Sequence, residues 1–141
     1  MNLQKVGLYV TAITGIGVMV GCVSAPAVID SGPGQVQIRS IQTRAFDTGN
    51  REQVIRTVMA TLQDLGFVIE KADSILGSVT ATKLSGYDLR MTVTVRMRGE
   101  QQVLVRANAQ YGDKPVTEPK PYQDFFTALE KSLFLAAHAA D

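Results

Sequence analysis

The sequence predicts an α+β fold, a two-layer sandwich in which two helices lie on one face of a largely antiparallel sheet of four to five strands. Two segments place apolar residues at helical spacing, so that each helix has one apolar stripe. The segments between them alternate apolar and polar residues, which is typical of strands with one buried and one solvated face. Because such helices and such a sheet bury their apolar surfaces against each other, we expect a single domain over residues 35–141 with the order β-α-β-β-β-β-α.

Local composition predicts the first strand and the first helix. Residues 36–46 contain enough β-branched and aromatic residues to predict a strand. A helix is predicted over residues 51–65, where Asn50 and Gln53 have the spacing of a capping pair. Gly66 follows the last apolar position of this helix, and a glycine there adopts the left-handed conformation that ends many helices.

The middle of the chain predicts two hairpins. The strand that opens at Phe67 runs to the turn-forming Asp73 and Ser74, and a second strand follows Gly77. The longest alternation follows, with polar residues between Leu89, Met91, Val93, Val95 and Met97 and again between Val103, Val105, Ala107, Ala109 and Tyr111. These two segments form the second hairpin of the predicted sheet.

The loop of the second hairpin is constrained because paired residues must point to the same face of the sheet. A two-residue loop would place Arg106 opposite Val93 and therefore an arginine in the core. A three-residue loop over residues 99–101 instead places Val105 opposite Val95. We therefore predict a three-residue loop or an equivalent bulge.

The last helix is expected to begin near Pro121, since proline fits a first helical turn, and to end near Ala139. A polar, proline-rich loop precedes it and separates it from the sheet. The apolar stripe of this helix comprises Phe125, Phe126, Leu129, Leu133, Phe134 and Ala137.

The segment before the only cysteine has the composition of a signal peptide. Lys5 is followed by an apolar, glycine-containing stretch up to Val20, shorter than the roughly 20 residues that a transmembrane helix needs. The run Met19-Val20-Gly21-Cys22 resembles a bacterial lipobox. The resemblance implies that residues 1–21 are a lipoprotein signal peptide and that Cys22 is acylated at its sulfur and freed amine. An uncleaved membrane anchor or a buried helix is the alternative.

Residues 22–34 are expected to form a flexible linker behind the acylated cysteine, because small residues and prolines dominate them. Two or more acyl chains anchor a protein stably to a membrane. Val23 stands where an aspartate would favour retention in the inner membrane, so the resemblance implies the outer membrane with the domain facing the periplasm.

Charge and residue counts exclude several functions. The chain has 14 basic and 13 acidic residues, and Lys5 is the only charge before Cys22, so nucleic-acid binding by bulk electrostatics is not expected. His138 is the only histidine, which excludes a histidine-dependent triad and a multi-histidine metal site. No motif brings together two of the carboxylates at Glu70, Asp73, Asp88, Glu118, Asp124 and Glu130. We therefore expect no enzymatic activity, no metal and no cofactor.

The polar face of the second hairpin is the candidate binding surface, since its alternating positions include four arginines and no acid: Arg90, Arg96, Arg98 and Arg106. Arginine binds phosphate and carboxylate groups through two parallel hydrogen bonds, so this face could receive an acidic partner protein or an anionic envelope component. The alternative is that these residues only solvate the outer face of a half-buried sheet.

The order Leu65-Gly66-Phe67, then Asp73, Gly77 and Val79, followed by the long alternating hairpin, resembles small proteobacterial outer-membrane lipoproteins. More distantly, it is similar to the helix-on-sheet modules of a lipoprotein in the outer-membrane β-barrel assembly machine. The resemblance implies a fold and a compartment rather than an activity.

The function predicted from the sequence is that of a non-enzymatic, lipid-anchored envelope lipoprotein, an accessory or binding subunit of an outer-membrane or efflux assembly. Its protein partner would contact the arginine face or a sheet edge, by strand addition in the latter case. The alternative is a periplasmic carrier or sensor of a small or lipidic ligand or of a cell-wall component, with the small ligand held between helices and sheet.

Overall fold

A computed structural model describes residues 34–85 and 88–139 of the chain. The predicted signal peptide, Cys22 and almost all of the predicted linker lie outside the described residues. Within the described ranges, no helix is long and apolar enough to cross a membrane.

The described elements form an α+β fold with antiparallel strand pairing, which confirms the predicted fold class. In chain order they are α1 (Gln35–Gln42), β1 (Thr43–Phe46), α2 (Arg51–Asp64), β2 (Val68–Asp73), β3 (Ser78–Lys83), β4 (Leu89–Met97), β5 (Val103–Tyr111), β6 (Lys114–Pro115) and α3 (Pro119–His138). The strand order in the sheet is β1-β5-β4-β3-β2, and β6 pairs with β5. The first strand, β1, is therefore next to β5, which comes late in the chain.

The prediction of one strand over residues 36–46 was wrong, because the structure has α1 first and only then β1. Ile38 and Ile41 lie three residues apart and are both half-buried, and Ile41 packs against the core. That spacing puts them on one face of a helix, and the glutamines and the arginine of the same segment are good helix formers. The β-branched content suggested a strand, but the apolar contacts are made at helical spacing. The described part of the chain consequently has three helices, where two were predicted.

The register of the second hairpin confirms the three-residue loop. Val95 is opposite Val105 and Arg96 is opposite Leu104. The Arg98 N–H donates to the Gln102 carbonyl at 2.8 Å, so residues 99–101 form the loop. The prediction of a plain loop before the last helix needs a smaller correction, since two of its residues form β6 and α3 begins at Pro119.

The helices cover one face of the sheet, where the core lies. The residues of this core with no exposed side-chain surface include Val54, Val58, Leu62, Val79, Val93, Val105, Tyr122, Phe125 and Leu129. The capping pair predicted for α2 is present, because the Asn50 side chain accepts a hydrogen bond from the Gln53 N–H at 3.0 Å. On the opposite face of the sheet the side chains are exposed or half-buried, Thr82 excepted, and we call this surface the open face.

Candidate functional site

The candidate arginines are positioned by the alternation of β4 and β5. Arg90 and Arg96 belong to β4, and Arg106 lies opposite Thr94 on β5, so these three side chains share the open face as predicted. Arg98 lies just beyond the end of β4. It lines a separate depression at the hairpin end together with Asp47 and Glu100. The structure therefore brings three of the four predicted arginines onto the face and places the fourth at its margin.

Within the described ranges, Arg90 is the one of these arginines that has an acidic partner. Its Nε lies 3.5 Å from a carboxylate oxygen of Glu70, and the other oxygen of Glu70 accepts a hydrogen bond from the Thr82 hydroxyl at 2.6 Å. Glu70 occupies a bulge in β2, since the pairing with β3 shifts between Ile69 and Lys71. The bulge adds a residue to the strand and re-aims its side chain. Glu70 of β2 thus contacts Arg90 of β4 on the open face, across the intervening strand β3.

Arg96 and Arg106 lie together on the open face, toward the loop end of the β4–β5 hairpin. Both side chains are exposed, and neither makes an ion pair with any residue of the described ranges. They flank the half-buried Leu104 in a depression of about 350 Å³ that is also lined by Thr94 and Asn108. We call this surface the Arg96/Arg106 depression. Two guanidinium groups, always charged and each with five N–H donors, can hold carboxylate or phosphate groups there.

The edges of the sheet are less suited to strand addition than the sequence suggested. The outer strand β2 has the bulge at Glu70, and the same strand also contains the charged Lys71 and Asp73. At the other edge, β1 has four residues and β6 has two. Bulges, charges and short lengths are features that protect sheet edges from pairing with another chain. Strand addition at either edge is therefore disfavoured.

A second concave surface lies on the helix side of the sheet, where α2 ends and α3 begins. It is a cleft of about 280 Å³ lined by Leu65, Phe67, Lys83, Leu89, Met91, Tyr111, Glu118, Lys120, Pro121 and Asp124. Lys120 contacts Asp124 at 2.8 Å. The Lys83 ammonium group lies 5.8 Å from the centre of the Phe67 ring. The cleft was not predicted from the sequence, although Lys83 at a core-facing position of β3 was a signal for it.

The remaining titratable candidates are dispersed. His138 is exposed at the end of α3, with Nδ1 2.7 Å from the Phe134 carbonyl oxygen. Asp73 accepts a hydrogen bond from the Leu76 N–H at 2.9 Å. Among the six predicted carboxylates, Glu118 and Asp124 line the same cleft. Within residues 34–85 and 88–139, no group of three or more histidine, cysteine, aspartate or glutamate side chains is placed to hold a metal ion.

Comparison with known proteins adds no relative to these observations. No protein-family model matches the sequence, and no curated protein matches it at a significant level. The candidate sites therefore rest on the geometry described above.

Proposed function

We propose that this chain is a non-enzymatic envelope lipoprotein, anchored in the outer membrane through acylated Cys22, whose domain faces the periplasm and binds a protein of an outer-membrane or efflux assembly. The contact surface is the Arg96/Arg106 depression. The observation that supports it is the pair of exposed arginines that flank Leu104 and make no ion pair with a described residue. The partner surface is accordingly acidic, with an apolar group at its centre.

Electrostatics favours a partner at this position over simple solvation of the sheet. Arg96 and Arg106 are diagonal neighbours across the β4–β5 pair, and such neighbours lie about 7–8 Å apart. Like charges on two such neighbours repel each other, although water and salt weaken the repulsion between exposed side chains. Threonine, which occupies positions 92 and 94 of the same face, would solvate the sheet without this repulsion. Carboxylates of a partner would offset the repulsion and form bidentate hydrogen bonds.

The composition of the depression also resembles the centre of a protein interface. Arginine is enriched at such interfaces, and binding energy concentrates where a few side chains are desolvated together. Leu104 supplies apolar surface beside both arginines, and Asn108 adds an amide that can donate or accept. A single half-exposed leucine is ordinary on any protein surface, but Leu104 lies directly opposite Arg96 and two residues before Arg106 on the same face.

The experiment that tests the assembly role is crosslinking followed by affinity purification of the tagged full chain from its native membranes. The wild type is expected to recover the same envelope protein in repeated preparations, and Cys22→Ala is expected to lose it because the tether no longer holds the domain at the membrane. Recovery of the wild-type chain alone from the outer membrane would contradict the proposal.

A further inference from the structure

The cleft on the helix side of the sheet is separated from the Arg96/Arg106 depression by the sheet itself, so it is an independent candidate site. Its walls are the end of α2, the start of α3 and the neighbouring ends of β3, β4 and β5. The side chains at its inner wall are apolar: Phe67 and Met91 are buried, and Leu65 and Leu89 are half-buried. A ligand in this cleft would lie against the edge of the hydrophobic core.

Lys83 interrupts the pattern of the strand that forms one wall of the cleft. The core-facing positions of β3 are Val79 and Ala81, both fully buried, and the next one is Lys83, which is half-buried. Lysine is rarely retained beside a core without a partner, because burying an ammonium group is unfavourable. Its charge makes no ion pair with a residue of the described ranges and lies over the Phe67 ring. Departures from a local pattern of this kind are typical of functional sites.

The size of the cleft limits what can enter. Its volume is about 280 Å³, just below the range of about 300–1,000 Å³ for small-molecule pockets. A ligand with a single short apolar chain fits this space, whereas a lipid with two long acyl chains does not.

The charged residues around the cleft indicate the sign of the charge that a ligand should carry. Lys120 is already bound to Asp124, so that pair is neutral as a unit. Glu118 is exposed, and its charge is screened by water and salt. Among the charged residues that line the cleft, Lys83 is half-buried and the others are exposed. Water and salt therefore screen the interaction of a ligand with Lys83 less than with the others.

We propose that the cleft binds a small amphipathic carboxylate, with one apolar chain against the half-buried Leu65 and Leu89, above the buried Met91, and the carboxylate on the Lys83 ammonium group. This site lies outside the proposed protein interface and does not depend on it. It would give the domain a second role as a carrier or sensor of single-chain carboxylates.

The methionines provide a specific readout of binding. The full chain is labelled with ¹³C at its methionine methyl groups, incorporated into nanodiscs and titrated with octanoate, and empty nanodiscs give the correction for ligand dissolved in lipid. The Met91 methyl resonance is expected to shift in a saturable manner. Met59 and Met97 do not line the cleft, so their resonances are expected to stay in place.

Two variants test the role of the charge. Lys83→Gln is expected to weaken octanoate binding at least tenfold, whereas Lys83→Arg, which keeps the positive charge and the apolar stem, is expected to retain it. Lys71→Gln on the open face is the matched control and should leave the affinity unchanged. Octylamine should not bind, because its ammonium group would meet that of Lys83. An unmoved Met91 resonance, equal affinity of Lys83→Gln, or tighter binding of octylamine would each overturn the proposal.

Discussion

Gln42 and Tyr122 are separated by 80 positions in the sequence and meet in the core, where the Gln42 amide donates a hydrogen bond to the Tyr122 hydroxyl at 3.2 Å. The same hydroxyl accepts from the Ala109 N–H at 3.2 Å and donates to the Val116 carbonyl at 2.7 Å. Ala109 lies on the stretch of β5 between its pairing with β1 and its pairing with β6. The Tyr122 hydroxyl therefore accepts a hydrogen bond from a backbone N–H of β5 at a position where no described strand pairs with that edge. Its three hydrogen bonds link α1, α3 and β5.

Tyr122→Phe tests the importance of this hydroxyl. The substitution leaves the buried Ala109 N–H without its hydrogen bond, and an unsatisfied buried group costs about 1–3 kcal/mol. We expect the free energy of unfolding to fall by about 2 kcal/mol in urea denaturation. Gln42→Leu should cost less, because the hydroxyl keeps both backbone partners. Equal stability of Tyr122→Phe and the wild type would show that the hydroxyl does not stabilise the fold.

Gly77 and Gly99 offer a matched test of backbone strain and close packing. Their φ angles are nearly equal, +70° and +71°. A side chain at Gly99 would meet no atom within 4 Å, whereas one at Gly77 would clash with the Val95 carbonyl and with Arg51. Gly99→Ala is expected to cost about 1–2 kcal/mol through its left-handed backbone alone. Gly77→Ala should exceed that by at least about 1 kcal/mol, because the clash forces the turn to shift. Equal thermal shifts of the two variants would contradict the described contact.

Thr61 is a buried residue of α2 whose hydroxyl has no hydrogen-bond partner among the described residues. Valine has a similar shape and no polar group to desolvate. Thr61→Val is therefore expected to raise the free energy of unfolding by about 1 kcal/mol. Thr57→Val in the same helix is the control, since the Thr57 hydroxyl donates to the Gln53 carbonyl at 2.8 Å. A loss of stability in Thr61→Val, measured by thermal denaturation, would show that its hydroxyl has a partner after all.

The sequence was sufficient where an interaction is local or follows a strict alternation. The Asn50 cap and the pairing of Val95 with Val105 were both predicted, because each depends on a fixed spacing in the chain. The helix α1 was missed because Ile38 and Ile41 count as strand formers by composition and as a helix face by spacing. In that segment the packing of Ile41 against the core determines that a helix forms, and composition alone does not predict this packing.

The candidate sites were predictable only in part, for a different reason. The alternation placed Arg90, Arg96 and Arg106 on the open face as the structure has them, whereas Arg98 lies beyond the end of β4. The contact of Glu70 with Arg90 depends on the order of strands in the sheet and on a bulge, and neither is determined by local sequence. The cleft at Lys83 depends on where α3 begins over the sheet, which is again a tertiary property.

Acylation of Cys22 is tested by metabolic labelling with palmitate. The wild-type chain should incorporate the label and lose residues 1–21, because the run before Cys22 resembles a lipobox. Cys22→Ser should remain unlabelled and retain those residues, and its larger mass distinguishes it from the mature form. An unlabelled wild-type chain of full length in the membrane fraction would instead indicate the alternative of an uncleaved anchor.

The central claim is that the Arg96/Arg106 depression binds an acidic envelope protein. It is tested most directly by purifying two charge-reversal variants from crosslinked membranes: Arg96→Glu with Arg106→Glu, and the control Arg39→Glu with Arg56→Glu. The control pair is also exposed, lies on helices and changes the net charge by the same amount. We predict that the control recovers the same partner as the wild type and that the reversal on the open face does not, with equal unfolding midpoints for both variants. Undiminished recovery with Arg96→Glu and Arg106→Glu would contradict the account.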